Sequence, residues 1–228
     1  MKFRKWEALP DFMKTEEVRV YYDILNKKRG SLALKRALDI LMAFVLLLVL
    51  LIPMLIIAIL IKVDSKGPVL FRQERITCYG KKFRIHKFRT MVSNAGEFGT
   101  ALTVDEDRRI TKIGKKLRDL RLDELPQLID VLKGDMAFVG TRPESPKYVE
   151  AYSSEMYATL LLPAGITSEA SIRYKDEAKL LSNVEDVDRT YIEEILPEKM
   201  KYNLQSIRRF SVLDELDIMI RTVGAVLK

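Results

Sequence analysis

The 22 residues from Ile40 to Ile61, ILMAFVLLLVLLIPMLIIAILI, carry no charge, and no other feature constrains this chain as much. As a helix rising 1.5 Å per residue the run is about 33 Å long, just enough for a bilayer core of about 30 Å. A signal peptide fits poorly, because the run starts well inside the chain, is too long for an h-region and is followed by no small-residue cleavage site. The default reading is one transmembrane helix. Two features oppose it. Residues 1–38 hold ten Lys and Arg, and Lys62, Lys66, Arg72 and Arg75 follow the run. Short basic flanks belong to the cytoplasm, and here both flanks qualify. In addition Pro53 sits past the middle, where it removes a backbone hydrogen bond and kinks a helix. A kinked helix can enter and leave by one face, although membrane helices tolerate proline. From these features alone a spanning and a re-entrant helix both stand.

Composition narrows the rest. With 228 residues the chain suits one ordinary domain with an appended segment. Its 31% charged residues exclude a multi-span membrane protein, and its 48% apolar residues exclude a mainly disordered one. A net charge of +7 and a pI of about 9.3 favour phosphate-bearing partners: nucleic acid, anionic lipid or nucleotides. The single cysteine, Cys78, fits a reducing compartment and excludes both an internal disulfide and a Cys-rich zinc site. The single histidine, His86, excludes a multi-His metal site.

Residues 1–33 read as a polar segment with an amphipathic stretch near Val18–Leu25, lying on the membrane or against the globular part. The membrane-inserted helix takes residues 34–62, and 63–228 form one cytoplasmic domain. Asp64-Ser65-Lys66-Gly67-Pro68 is turn chemistry that ends the apolar helix. Val69–Ile76 and Lys81–Thr90 read as a hairpin, and Asn94–Asp107 as a loop. Ile113–Leu120 is a short basic helix. Asp123–Leu132 puts Leu125, Leu128, Ile129 and Leu132 on one helical stripe, and Gly134 ends it. Further helices are predicted over Pro146–Leu161, Asp188–Leu196 and Lys199–Leu227. The fold class is α+β, mainly helical, with a small β-hairpin.

Four constellations can carry chemistry. In Arg118-Asp119-Leu120-Arg121-Leu122-Asp123-Glu124-Leu125-Pro126-Gln127-Leu128, Asp123 is placed as an N-cap and Glu124 in the first helical turn, where anions are favoured. Adjacent carboxylates can hold a divalent cation, or one can attack phosphorus. The plain alternative is a capped helix with solvated charges. On the alternating strand around KKFRIHKFRT, Lys87 and Arg89 share a face opposite His86 and Phe88. That face is a phosphate-binding edge or simply a basic strand at the membrane. Gly140-Thr141-Arg142-Pro143 is a short loop bearing an arginine. Asp105-Glu106-Asp107 has the D-x-D form some nucleotide-sugar enzymes use for metal, a triplet also common by chance. His86 has no partner His or Cys on its strand for metal binding.

Together these segments resemble the monotopic phosphoglycosyl transferases, the bacterial sugar transferases acting on polyprenyl phosphates, from about Leu34 to Thr222. Ordered blocks carry the resemblance. Lys35-Arg36-Ala37-Leu38-Asp39 precedes the proline-bearing apolar helix, and Ser65-Lys66-Gly67-Pro68-Val69-Leu70-Phe71-Arg72-Gln73-Glu74-Arg75 follows it. Then come Lys87-Phe88-Arg89-Thr90-Met91, Arg118 with Leu122-Asp123-Glu124-Leu125-Pro126-Gln127-Leu128, Lys133-Gly134-Asp135-Met136, and Gly140-Thr141-Arg142-Pro143.

The resemblance implies a re-entrant helix broken at Pro53, on the cytoplasmic face of the bacterial inner membrane. It implies transfer of a sugar-1-phosphate from a nucleoside diphosphate sugar, a UDP-sugar by expectation, to undecaprenyl phosphate, with Mg²⁺ and a covalent intermediate on Asp123. Glu124 becomes a metal ligand beside Asp123. Lys87, Arg89, Arg118 and Arg142 become phosphate-binding residues. Membrane lipid is a further partner, a second copy of the chain a candidate one, and nucleic acid is not expected. There are departures. Gly-Pro-Arg-Pro is here Gly140-Thr141-Arg142-Pro143. Pro163-Ala164-Gly165-Ile166-Thr167 carries an extra alanine. The family's Ser-x-x-x-Asp is met by Ser211 and Glu215, with Asp214 as the competing carboxylate, so Glu215 is expected as a third metal ligand. The competing functions are a metal-dependent glycosyltransferase using Asp105-Glu106-Asp107, which would release a nucleoside diphosphate, and a membrane-tethered nucleic-acid-binding protein.

Overall fold

The chain's architecture comes from a computed structural model that describes residues 3–92, 107–182 and 184–226. Its first helix, α1 (Glu16–Lys27), is capped by Thr15, whose hydroxyl accepts from the Val18 amide. The apolar run lies within α2 (Arg29–Asp64), a single 36-residue helix that contains Pro53. The segment is therefore longer at both ends than the predicted 34–62, and it is one helix through the proline rather than two.

Only 11% of its most apolar stretch is buried, which excludes the core helix of a soluble protein. Its two arms nevertheless both seat on the globular body. Ala43 joins a core with Met136, Val139 and Ile218, while Ile57 and Ile61 pack on Phe88 and Leu117. Leu46, Leu47, Leu50 and Met54 between them also pack against these cores, while Leu48, Val49, Leu51 and Ile52 on the other faces are exposed.

The turn after α2 leads into the hairpin β1 (Leu70–Ile76) and β2 (Lys82–Phe88), paired antiparallel with Phe71 opposite Lys87 and Arg72 opposite His86. Helix α3 (Lys112–Asp119) starts on a Thr111 cap. The predicted helix over Asp123–Leu132 is divided: a 3₁₀ turn covers Leu122–Glu124, and α4 runs Gln127–Lys133. Gly134 ends α4 in the left-handed conformation, φ 87°, as predicted. Strand β3 (Met136–Val139) pairs in parallel with β4 (Ala164–Thr167). Gly140 and Gly165 let the two chains touch here, for a Cβ on Gly165 would lie 2.2 Å from the Gly140 nitrogen.

The predicted helix Pro146–Leu161 resolves into α5 (Pro146–Val149) and a 3₁₀ turn at Met156–Leu161. Short helices α6 (Glu169–Arg173), α7 (Glu177–Leu180) and α8 (Val187–Thr190) follow, and a π turn at Tyr191–Ile195 leads into α9 (Leu196–Arg209). The last predicted helix splits at Phe210, φ −38° and ψ 121°, before α10 (Val212–Val226). Phe210 is buried, its carbonyl accepts from the Lys28 ammonium, and the Ser211 hydroxyl restarts the helix by accepting from the Asp214 amide.

Residues 3–25 resolve the choice left by the sequence: Phe3, Leu9, Met13, Val18, Tyr21, Tyr22 and Leu25 share a core with Ile76, Leu161, Ile207 and Phe210. The first segment packs on the globular part, and its amphipathic stripe faces protein.

Candidate active site

Four separate stretches converge around Asp123 and Glu124. β2 delivers Lys87, the 3₁₀ turn delivers the two carboxylates, the loop after β3 delivers Arg142, and the end of α3 delivers Arg118. The turn exists because Arg121 adopts the left-handed conformation, φ 55°, directly before it, and Pro126, two residues after it, stands at the start of α4. Asp123 is thus inside a turn. It does not cap a helix, which corrects the expectation from the sequence.

Both carboxylates are buried, and they are used differently. Glu124 Oε1 accepts from Lys87 Nζ at 3.0 Å and from Arg142 Nη2, and Oε2 accepts from Arg142 Nη1 at 3.1 Å. Arg121 Nη1 stands 4.0 Å away. Burial alone would raise the Glu124 pKa, but Arg142, Lys87 and the Arg142 hydrogen bond outweigh it and hold the carboxyl well below its ordinary value.

Asp123 receives no hydrogen bond from the described residues. Burial pushes its pKa up, with Glu124 adding to the rise and Lys87, Arg118 and Arg142 opposing it. In this pair Glu124 ionises first, and the Asp123 oxygens stay uncommitted among the described residues. Burial also lowers the Lys87 pKa, against the pull of Glu124. Arg118 is oriented by Thr90, whose hydroxyl accepts from Nε at 2.9 Å, and its charge acts on Asp123.

Two predicted site residues lie elsewhere. Arg89 caps the end of α2, donating to the carbonyls of Ser65 and Lys66 at 2.6 and 2.8 Å and to the Ser65 hydroxyl at 2.8 Å. These bonds hold Arg89 to the turn that follows α2, whereas Lys87 on the same strand reaches Glu124. Glu215 pairs with Lys35 of α2 at 2.6 Å, next to Asp39. Among the described residues no three Asp, Glu, His or Cys side chains group to hold a metal, so the expected set of Asp123, Glu124 and Glu215 does not assemble. Glu215 instead ties α10 to α2. Asp105 and Glu106 lie outside the described residues, and Asp107 commits its carboxylate to Arg109, with contacts of 2.6 to 3.0 Å.

Two groups supporting the site gave no sequence signal. His86 Nδ1 meets Asp130 Oδ1 at 2.6 Å, and the His86 amide donates to Asp130 Oδ2 at 2.8 Å, which locks β2 onto α4 one residue from Lys87. Behind Arg142, the buried Glu144 accepts from the Tyr191 hydroxyl, which in turn accepts from Lys199, itself bonded to Glu177. A sequence shows charge and spacing, and neither pair is close along the chain.

The bacterial sugar transferase profile matches residues 30–228. A UDP-N-acetylgalactosamine-undecaprenyl-phosphate N-acetylgalactosaminephosphotransferase of Aeromonas hydrophila is 36% identical over 221 residues, 92% of this chain and 49% of that protein. A putative undecaprenyl-phosphate N-acetylgalactosaminyl 1-phosphate transferase of Bacillus subtilis is 38% identical over 69% of this chain and 87% of its own length. A UDP-glucose:undecaprenyl-phosphate glucose-1-phosphate transferase of Escherichia coli is 34% identical over 83% of this chain and 39% of its own. The chain thus spans about half or less of the Aeromonas and Escherichia proteins and most of the Bacillus one. With the profile covering all but residues 1–29, and with Asp123, Glu124, Lys87 and Arg142 meeting at one place, this chain belongs to the bacterial sugar transferase family.

Proposed function

We propose that the chain is a phosphotransferase at the cytoplasmic face of the bacterial inner membrane. It moves a sugar-1-phosphate from a nucleoside diphosphate sugar, a UDP-sugar by the names of its relatives, to undecaprenyl phosphate. The observation that carries this reading is the division of labour in the dyad: Asp123 lies beside cations and takes no hydrogen bond from the described residues, while Glu124 is fixed between Lys87 and Arg142.

Asp123 attacks the phosphorus that bears the sugar. The bond from that phosphorus to the bridging oxygen breaks, and the nucleoside monophosphate leaves with that oxygen. A phosphate oxygen of the lipid then attacks the same phosphorus, the Asp123–phosphorus bond breaks, and the carboxylate returns with the polyprenyl diphosphate sugar released. A carboxylate needs no base at pH 7, and burial removes the water that would weaken it as a nucleophile. Lys87, Arg118 and Arg142 take the phosphate oxygens whose charge changes as bonds break.

The donor set also fits Mg²⁺, which is commonly bound by one or two carboxylates together with substrate phosphates. Asp123 and Glu124 would hold it, Glu124 yielding one of its cation contacts to the donor phosphate. When bound, the ion spreads charge over the pyrophosphate as it is cleaved.

Membrane seating is supported by α2, one stripe of which rests on the globular body from Met42 to Ile61 while its other apolar residues, Phe44, Leu48, Ile52, Leu55 and Ile59 among them, are exposed. An enzyme whose acceptor is a lipid phosphate needs such a shallow anchor and basic residues at the interface.

The test is intact-protein mass spectrometry after incubation with donor and Mg²⁺ without lipid. The wild-type chain gains the mass of the phosphosugar, Asp123→Asn gains none, and nucleoside monophosphate is released. Release of nucleoside diphosphate would mean that sugar moves without its phosphate. Turnover without any trapped adduct, with kinetics requiring both substrates at once, would replace the two steps by direct transfer.

A further inference from the structure

Phe71 of β1 stands directly opposite Lys87 of β2. Opposed residues of an antiparallel pair project to one face, with their Cα atoms about 5 Å apart. The Phe71 ring and the Lys87 side chain therefore share a face. Lys87 reaches Glu124 at 3.0 Å, and of all charged groups it acts most strongly on Asp123. Further along β2 the same face buries Ile85 and Phe83 in one core with Leu128 and Val131 of α4. Phe71 differs: it is 47% exposed. A large ring on the inward face, one strand away from a dyad cation, is left uncovered.

The surface leading to this ring starts at the membrane helix. α2 ends at Asp64 and β1 begins at Leu70. Val69 packs with Met54, Ile57 and Ile61 of α2, which fixes the start of β1 against that helix. Leu70 and Phe71 are consecutive, so they point to opposite faces of the strand. Leu70 lies on the side of Phe88 and α2, and Phe71 on the side of Lys87. Val63 in the last turn of α2, Leu70 and Phe71 are all exposed. Among the described residues β1 pairs only with β2, so its outer edge is open. An apolar strip thus runs from α2 around the start of β1 to the cations of the dyad.

A ligand that matches this strip is apolar at one end and anionic at the other. A nucleotide sugar is polar along most of its length and arrives from water. A polyprenyl phosphate carries its anion directly on an apolar chain that stays in the membrane. We propose that the start of β1 seats the acceptor lipid, its first isoprene units lying across Leu70 and Phe71 while its phosphate meets Lys87 and Arg118. This rests on the reading of the chain as a sugar-1-phosphate transferase and names where that reaction's second substrate lies. Phe71 touches the lipid chain and not the reacting atoms, so it governs acceptor affinity.

The full chain in detergent with Mg²⁺ tests this, using whichever of UDP-glucose, UDP-galactose and UDP-N-acetylgalactosamine it turns over. Nucleoside monophosphate release is read while donor and undecaprenyl phosphate are varied in turn. Phe71→Ala should raise KM for undecaprenyl phosphate by about tenfold, the worth of covering a half-exposed ring, and leave KM for the donor within about twofold. Phe71→Leu, which keeps an apolar side chain, should recover most of that loss. With donor alone, the sugar-phosphate adduct should form in Phe71→Ala as fast as in wild type, and only its discharge by lipid should slow. If Phe71→Ala does not fold, Phe71→Thr, a strand-favouring polar replacement, is read in its place. A raised donor KM with an unchanged lipid KM would make the ring a platform for the nucleobase and overturn the proposal, as would two unchanged KM values. Vesicles of phosphatidylethanolamine and phosphatidylglycerol without undecaprenyl phosphate should bind variant and wild type alike. Loss of that binding in step with acceptor use would reduce Phe71 to a general membrane contact and overturn the proposal too. A wild-type chain that releases no nucleoside monophosphate from any donor would sink the transferase reading itself, whereas failure of this inference leaves wild-type turnover intact.

Discussion

Replacing Glu124 by Gln keeps the side chain's shape and removes the charge that Lys87, Arg142 and Arg121 all face. Breaking a buried ion pair from one side costs about 3–5 kcal/mol. Here Gln keeps one acceptor oxygen, and the cations retain some solvent, with side-chain exposures of 22% for Lys87 and 31% for Arg142. The loss should therefore fall below that range, about 2–3 kcal/mol. For a chain of this size that lowers the melting temperature by about 5–10 °C. The rate of adduct formation should fall by about 10²–10³, the usual effect of deleting a central electrostatic group.

The two losses have different origins, and a double variant separates them. Glu124→Gln with Arg142→Met removes the uncompensated cation and should recover part of the melting temperature, while the rate stays low or falls further. Thermal unfolding in detergent and single-turnover adduct formation are the two assays. A Glu124→Gln chain that melts within about 1 °C of wild type, below the shift expected for even half a kcal/mol, would show that the cations do not depend on this carboxylate. Full recovery of the rate in the double variant would refute the electrostatic role.

Further outcomes are expected. Because burial raises the Asp123 pKa, adduct formation should decline, as pH is lowered, from a point above the ordinary Asp value of 3.8, and Asp123→Glu should move that point in a pH–rate profile. Burial likewise raises Glu215 to about 7, against the pull of Lys35. A raised carboxyl stabilises the fold fully below its unfolded value near 4.5 and loses that contribution as pH rises through about 7, so Glu215→Gln should flatten the melting temperature across that window. Gly165→Ala should yield no folded chain, since its Cβ would meet the Gly140 backbone, whereas Gly224→Ala, with open space around it, should be neutral or stabilising by about 1 kcal/mol in α10. Accessibility labels at Trp6 and Lys175 should both report the cytoplasm, and a periplasmic Trp6 would overturn the seating of α2.

What the sequence disclosed, and what it withheld, follows from how far apart the interacting residues lie. The hairpin was legible because its strands alternate and share one short connection, and α3 because its basic residues are local, although its Thr111 cap emerged only in the structure. The dyad was legible because both carboxylates are neighbours in a distinctive block. The roles of Arg89 and Glu215 were not. Arg89 sits on the same strand as Lys87, yet it reaches Ser65 and Lys66 at the end of α2. Glu215 meets Lys35, 180 positions earlier, and nothing near Glu215 in sequence announces that partner. The split of the last helix is of the same kind: Phe210 leaves the helix to bury its ring in a core shared with residues 3–25, and Lys28 donates to its carbonyl.

The break before Asp123 carries the chemistry. Had the helix run regularly from Asp123 to Leu132, its first-turn carboxylates would have faced the helix amides, a common capping arrangement with both side chains near water. The left-handed Arg121 instead forces a tight turn, and a left-handed non-glycine residue costs of order 1 kcal/mol or more and persists only where its surroundings fix it. Here Arg121 is tied on both sides, to the Lys175 carbonyl at 3.2 Å and toward Glu124 at 4.0 Å. In a 3₁₀ turn successive side chains point about 120° apart. That angle sends Glu124 into the pocket of Lys87 and Arg142 and leaves Asp123 on a different face, within the field of the same cations but bonded to none of them. Two adjacent carboxylates sharing one orientation would compete for the same partners. Turned apart, one is a fixed counter-charge for the cations and the other is left to react.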